Sequence, residues 1–265
     1  MLFGKKITVF LIGGTGNNIF QINYANKLIS QGFDVEFNTF FLYESWLTKF
    51  LGWTIHSPAL TEKILAKCRV RDKLTILDFL SILCIKFLSI LNIYSLQDYT
   101  KNNHFLGRNI GYWQSEFEVR PETQALLKDL FFLKEPLIEG DYAVVHARLG
   151  DFSKEQRLDI SYYIEAIIKA NVVDIYLVTD TPSFIRELEV LLPKDIKLRL
   201  GPGETALDDF NILVNSGVLI LSNSTFCFWG SQVIPVENVV IPKCLHPGIK
   251  WTFDMKNKKI ELINN

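Results

Sequence analysis

No pair of cysteines in this chain is spaced as a metal site or a disulfide framework requires. Cys68, Cys84, Cys227 and Cys244 lie far apart and no Cys-x-x-Cys occurs. That excludes zinc-ribbon and small disulfide-scaffold classes and fits thiols kept reduced in a cytosol. An excess of charge is missing as well: 28 basic side chains stand against 29 acidic ones, a net charge of -1. No global attraction to nucleic acid follows from such a balance. The amino-terminal apolar segment runs straight into Gly13-Gly14 and reads as a strand and turn rather than a signal peptide. The most apolar stretch, Leu74 to Tyr94, is interrupted by Asp78 and Lys86, and its uncharged runs are too short to span a bilayer. It reads as a buried or amphipathic helix. Lys63, Lys67, Arg69, Arg71 and Lys73 lie just upstream, so a peripheral contact with a membrane surface is one reading. A solvated charge run before a core helix is the other. Internal repeats and low-complexity segments are absent.

What is present suits one large or two small soluble α/β domains: 265 residues, 48% hydrophobic and 22% charged. Ile7 to Ile12 reads as a strand, Ile19 to Ser30 as a helix with Gly32 at its carboxyl cap, and Val35 to Phe37 as the next strand. Phe40 to Gln97 reads as mostly helical, with a break at Pro58, and Ile110 to Trp113 as a short strand. Pro136 and Gly140 mark a boundary, giving domains 1–137 and 138–265. Beyond it strands and helices alternate: Tyr142 to Val145, Ser161 to Ala170 (capped by Asp159 or Ser161), Ile175 to Val178, Ser183 to Leu192, Lys197 to Leu200, Ala206 to Ser216, Val218 to Leu221, Phe226 to Val233, and Val239 to Ile241 as the closing strand. Such alternation predicts a parallel sheet.

Chemistry concentrates in three loops, each at a strand end. The first is Gly13-Gly14-Thr15-Gly16-Asn17-Asn18. Glycines there allow a sharp turn and close backbone approach, and the following helix offers amide groups to an anion. Gly14 and Gly16 resemble the start of a dinucleotide fingerprint, but Ile19 holds the third glycine's place, and no Gly-Lys-Ser/Thr follows. The second loop is His146-Ala147-Arg148-Leu149-Gly150-Asp151. An arginine at the carboxyl end of a strand presents a planar fork of donors to an anionic oxygen. The third is Ser222-Asn223-Ser224-Thr225-Phe226, whose hydroxyls and amides form either an anion cradle or a plain helix cap.

Together these loops resemble the bacterial family-11 glycosyltransferases, the α-1,2-fucosyltransferases. The family's opening G-G-x-G-N-Q-x-F-Q is matched by Gly13-Gly14-Thr15-Gly16-Asn17-Asn18-Ile19-Phe20-Gln21. Its H-x-R-R-G-D-Y is matched by His146 to Phe152, and its S/A-N-S-S-F-S-W-W by Ser222 to Trp229. Asn18, Leu149, Phe152 and Phe228 depart from the pattern, and 38–106 holds no motif of the family.

The resemblance implies an α/β fold of GT-B type, two Rossmann-like domains facing a cleft. The amino-terminal domain would serve the acceptor and carry the helical insertion; the carboxyl-terminal one would hold the nucleotide sugar. It implies an inverting, cofactor-free transfer of L-fucose from GDP-fucose to a galactose-type 2-hydroxyl of a bacterial surface glycan. The acceptor would be lipid-linked and the protein cytoplasmic, peripheral at the inner membrane face. Arg148 would stabilise charge growing on the β-phosphate. His146 would bond the phosphate or ribose. Asn223, Ser224, Thr225 and the Phe226 amide would cradle the phosphates beside Gly13, Gly14, Gly16 and Asn17. Asp209 would read the guanine edge or serve as an ordinary first-turn helix residue. The general base stays open among Asp151, Glu116 and Asp180. No metal is expected, because no Asp-x-Asp triplet occurs and adjacent Asp208 and Asp209 diverge by about 100 degrees on a helix. Three other readings are a same-fold transferase with another donor or acceptor, an NAD(P)-dependent oxidoreductase and a non-catalytic sugar-binding relative. The second lacks both the third glycine and any Tyr-x-x-x-Lys.

Overall fold

Local signals account for most elements. The computed structural model describes residues 6–51, 58–66, 68–91, 103–114, 118–131, 135–233, 238–242 and 259–263. In the first compact unit, which runs to Leu127, β1 (Lys6–Phe10) leads into α1 (Thr15–Ser30) and β2 (Asp34–Asn38). Helix α1 ends where Gly32 takes a φ of 88°, with the Gly32 N–H on the Ile29 carbonyl and the Phe33 N–H on the Leu28 carbonyl. That pair of bonds is a Schellman cap, and it turns the chain back into β2.

The stretch after β2 contains a 3₁₀ turn (Phe40–Leu42), α2 (Trp46–Leu51), α3 (Ala59–Leu65), β3 (Val70–Arg71) and α4 (Ile76–Ile90). The two-residue β3 interrupts what the sequence reads as helical. It pairs in parallel with Phe37 and Asn38 of β2, and so short a run leaves no periodicity to detect. Next come β4 (Asn103–Phe105) and β5 (Arg108–Ile110), an antiparallel hairpin. Leu106 and Gly107 turn it with φ of 48° and 75°, the left-handed pair that suits strand twist. The strand expected over Ile110 to Trp113 is thus shifted back by the hairpin, and Trp113 itself is left-handed, with φ 47°. The sheet order is β3-β2-β1-β5-β4.

Helix α5 (Pro121–Phe131), which the sequence reading lacks, carries the chain across the division at Leu127/Lys128. The second unit contains β6 (Ala143–Ala147), α6 (Ile160–Ala170), β7 (Asp174–Thr179), α7 (Phe184–Leu191), β8 (Lys197–Leu200), α8 (Ala206–Val214), β9 (Val218–Ile220), α9 (Thr225–Val233), β10 (Asn238–Pro242) and β11 (Lys259–Ile263). Every pairing in its sheet is parallel, and the order is β11-β10-β9-β6-β7-β8. Strand β11 follows the strand expected to close the series. Counting from β6, the order is 3-2-1-4-5-6, the doubly wound dinucleotide-fold arrangement, with its reversal between β6 and β9. Ala143, Val145 and Ala147 of β6 pack with Tyr162, Tyr163, Ile167 and Leu188 in one buried cluster. This places α6 and α7 on one face of the sheet. Tyr162 also donates its hydroxyl to the Leu221 carbonyl at 2.6 Å, pinning α6 to the end of β9.

The two arginines of the basic stretch before α4 are paired with acidic neighbours. Arg69 pairs with Asp34 and Glu36, and Arg71 with Glu36 and Asp78. Asp78, fully buried, also accepts from Arg108 at 3.0 Å and closes a capping box with Thr75. Burial works to raise the Asp78 pKa, but the bonds from Arg71, Thr75 and Arg108 outweigh it and bring it down to about 2. Among the described residues no helix is long and apolar enough to cross a membrane. Helix α4 nevertheless exposes Ile76, Leu80, Leu83, Phe87 and Ile90, spaced along one face. Cys68, Cys84 and Cys227 are free thiols; Cys244 lies outside the described residues.

Asp78→Asn leaves two arginines facing a neutral amide, and urea denaturation at neutral pH should show a loss of about 2–3 kcal/mol, as for hydrogen bonds to charged groups. The native carboxyl titrates below its ordinary value of 3.8, so its contribution is complete above that value. It is lost as pH falls through 3.8 toward about 2. The gap between wild type and variant should close over that window.

Candidate functional site

The reversal point of the second sheet lies between β6 and β9, and the loops after those two strands carry Arg148 and Ser222 to Phe226. Ligands of open parallel sheets bind at such a point, outside the carboxyl ends of the strands. Parallel pairing of Val145 with Ile220 brings the two loops side by side.

Arg148 follows β6 directly. Its Nε and Nη2 donate to the two carboxylate oxygens of Asp151, both at 2.8 Å, and its Nε lies 3.2 Å from Asp180 Oδ2. The other Asp180 oxygen accepts the Leu149 N–H at 2.9 Å and the Gly150 N–H at 3.0 Å. Asp180, at the end of β7, thereby holds both the backbone and the arginine of the loop. A Cβ on Gly150 would come within 2.9 Å of that carboxylate, so the close approach needs glycine. Leu149 is buried in the cluster beneath α6 and α7; the place of the resembled family's second arginine is here part of the core.

His146 lies inside β6, not beyond its end, and is buried. Its Nδ1 sits 2.8 Å from Ser222 Oγ, and its ring is 5.8 Å from that of Phe226. Burial, seconded by the nearby Arg148 and opposed by Asp180, pushes its pKa down to about 3. The imidazole is therefore neutral and works as a hydrogen-bonding group rather than a charge. Below it Cys227, its thiol pushed up to about 11 by burial despite hydrogen bonds, donates to the Ser224 carbonyl at 3.2 Å.

Of the two roles expected of Ser224 and Thr225, the geometry displays the helix cap. Helix α9 begins at Thr225, the Ser224 carbonyl accepts the Phe228 N–H at 3.2 Å, and the Phe226 N–H bonds Ser224 Oγ at 3.3 Å. Ser224 is thus the helix cap, and the first-turn amides of α9 point to the carboxyl edge of the sheet. Asn223 donates its side-chain amide to the Gln156 carbonyl, and its Oδ1 is buried without a hydrogen-bond partner. Phe228 and Trp229 are core.

Asp209 sits in the first turn of α8. Phe210, next to it, packs on the Phe226 ring at 5.3 Å between centroids, edge to face, so the first turns of α8 and α9 adjoin. Asp208 is absorbed by the Thr205 capping box, whereas Asp209 lies half-buried against Gly203. Burial, then the Asp208 charge, raises its pKa to about 6. Among the described residues no group of three His, Cys, Asp or Glu is placed to hold a metal ion.

The glycine-rich loop belongs to the first unit and is shorter than expected. Gly14, extended, is the N-cap of α1, and the Asn18 N–H already bonds its carbonyl at 3.0 Å. Gly16, Asn17 and Asn18 are therefore first-turn helix residues, and only Gly13-Gly14 forms the turn. The reason is a buried polar network. Gln21 Oε1 accepts the Ile12 N–H, Gln21 Nε2 donates to the Ile12 and Gly111 carbonyls, and Asn18 Nδ2 donates to the Ile12 carbonyl. It draws the helix start onto the ends of β1 and β5, the reversal point of this sheet. Gly13, with φ 76°, has no room for a Cβ: Asn17 Nδ2 would lie at 2.8 Å and Tyr112 Cε1 at 2.9 Å. Gln114 donates to Asn17 Oδ1 at 2.6 Å. Tyr112, Trp113 and Gln114 carry no motif, and only their place after a strand signals them. Of the general-base candidates, Asp151 and Asp180 both pair with Arg148, and Glu116 lies outside the described residues.

No family model matches the chain, and no curated protein matches it. Among solved structures it is similar to the E. coli heptosyltransferase WaaC, solved with ADP, with a TM-score of 0.51 and 11% identity over 97% of this chain and 93% of that one. The chain has the α/β, GT-B-type fold of glycosyltransferases.

Proposed function

We propose that the protein is a glycosyltransferase that takes its sugar from a nucleoside-diphosphate donor held by the second unit. The observation that carries this is the placement of Arg148 and the α9 amino terminus on the two strands that flank the sheet reversal. One strand end supplies a guanidinium and the other the positive amino-terminal end of helix α9, the pair of groups that suits a leaving diphosphate. As the glycosidic bond to the donor breaks, negative charge accumulates on the β-phosphate. A guanidinium already in place stabilises it without reorganisation. Neutral His146, steadied by Ser222, adds a hydrogen bond to phosphate or ribose.

The finer reading is inverting transfer of L-fucose from GDP-fucose to a galactose-type 2-hydroxyl of a lipid-linked surface glycan. It is supported by the order of the three motifs and by Asp209. A half-buried carboxylate can accept the N1–H and N2–H of guanine, a donor edge that uracil and adenine do not share. A place at the inner face of the cytoplasmic membrane is supported by the apolar face of α4. The acceptor would meet the first unit near Gly13, Asn17 and Gln114. A same-fold transferase using another nucleotide sugar is the second reading. Its support is the departure at Leu149, whose side chain is core here, and the ADP in the heptosyltransferase structure.

Arg148→Lys keeps the charge but not the two-pronged fork. Steady-state kinetics with a nucleotide-sugar panel should show kcat reduced about 100-fold or more, as for loss of one oxyanion donor, with circular dichroism unchanged. Wild-type turnover in the folded variant would contradict the role. Activity should survive EDTA, since no Asp-x-Asp triplet occurs.

Guanine recognition by Asp209 requires the carboxylate, and its pKa is raised to about 6. Calorimetry should therefore show GDP affinity falling as pH drops through that value, while Asp209→Asn flattens the profile and narrows the preference for GDP over UDP. Equal or tighter binding of UDP by the wild type would overturn the fucose reading and leave the phosphate role of Arg148 standing.

A further inference from the structure

The arginine assigned to the donor phosphate is already occupied. Asp151 takes its Nε and Nη2 edge with both carboxylate oxygens at 2.8 Å, and Asp180 approaches Nε at 3.2 Å. One guanidinium thus faces two carboxylates, and the cluster repels an incoming diphosphate as long as both stay. Electrostatics requires one of them to leave. The two are held differently. Asp180 is fixed by the Leu149 and Gly150 amides on its other oxygen, and its side chain is 21% exposed. Asp151 lies at the surface, 43% exposed, in the bend that follows Gly150, and its bidentate bond to Arg148 is a local pair three residues apart in sequence. Its two oxygens occupy the guanidinium edge as two phosphate oxygens would.

We infer that Asp151 is an exchangeable counter-ion, an internal stand-in for the donor phosphate that swings off Arg148 when a diphosphate binds and returns as it leaves. This rests on the phosphate role proposed for Arg148. Before binding, the pair keeps the guanidinium oriented and compensated. After transfer, the returning carboxylate competes with the product nucleotide for the same edge and speeds its release. Asp180 stays in place throughout and keeps the loop backbone aimed. Asp151 on this account is a positioning residue that acts through Arg148.

The test is isothermal titration of inorganic pyrophosphate and of GDP into wild type, Asp151→Asn, Arg148→Ala and the double variant. Asp151→Asn should bind both ligands more tightly, by roughly threefold to tenfold, as expected when a partly exposed ion pair no longer has to be broken. GDP should also dissociate more slowly in stopped flow. In the Arg148→Ala background the same substitution should change nothing. Weaker or unchanged binding by Asp151→Asn overturns the inference, and so does an equal gain in both backgrounds, which would mark Asp151 as bulk surface charge. Asp151→Ser provides the same comparison if the amide variant does not fold. Wild type that binds neither ligand overturns the nucleotide-donor reading and this inference together. Wild type that binds them with no tightening in the variant overturns this inference alone.

Discussion

Two hydrogen bonds shape the candidate site: the Asp180 carboxylate accepts the N–H groups of Leu149 and Gly150 on one oxygen. Those consecutive amides follow a buried strand and would otherwise have no fixed direction. Once they converge on Asp180, the chain turns out of β6 with Leu149 driven into the core and Arg148 left at the rim. The same carboxylate steadies the arginine through its second oxygen. Gly150 is a consequence, since any side chain there would collide with Asp180. A carboxylate bonded to two amides and a guanidinium is a stiff support, and it comes from β7, outside the motif it organises.

The first unit solves a similar problem with neutral groups. Gln21 reaches back from α1 to both polar atoms of the Ile12 peptide and across to Gly111, and Asn18 and Thr61 complete the set. Buried amides of this kind are costly unless every group is satisfied. Here they are arranged so that the loop after β1 is fastened to the end of the adjacent β5. Both units therefore use a side chain from another part of the fold to clamp the backbone that follows the first strand of the sheet.

Much of the architecture was legible because its signals are local. The β6 to β9 alternation, the Schellman glycine at Gly32 and the helix start after Ser224 all depend on periodicity and turn chemistry within a few residues. The errors have physical causes too. Gly16, Asn17 and Asn18 look like loop in isolation, and only the network to Ile12 and Gly111 winds them into helix. Strand β3 exists because β2 is beside it to accept a partner. The sequence pattern places Trp113 in a strand, yet it adopts a left-handed conformation and stacks on Tyr24 of α1.

The sequence by itself determined where the loops proposed as the site lie along the chain: at His146 to Asp151 and at Ser222 to Phe226, each after an apolar strand and before a helix. It could do so because strand ends and caps are written in neighbouring residues. Only the tertiary structure decided that β6 and β9 are adjacent, that Arg148 meets Asp151 and Asp180 together, that His146 is buried against Ser222 and neutral, and that Asp208 is consumed as a cap while Asp209 is not. These are properties of strand order and burial. They arise between residues tens of positions apart, where electrostatic and desolvation energies depend on which groups the fold brings together.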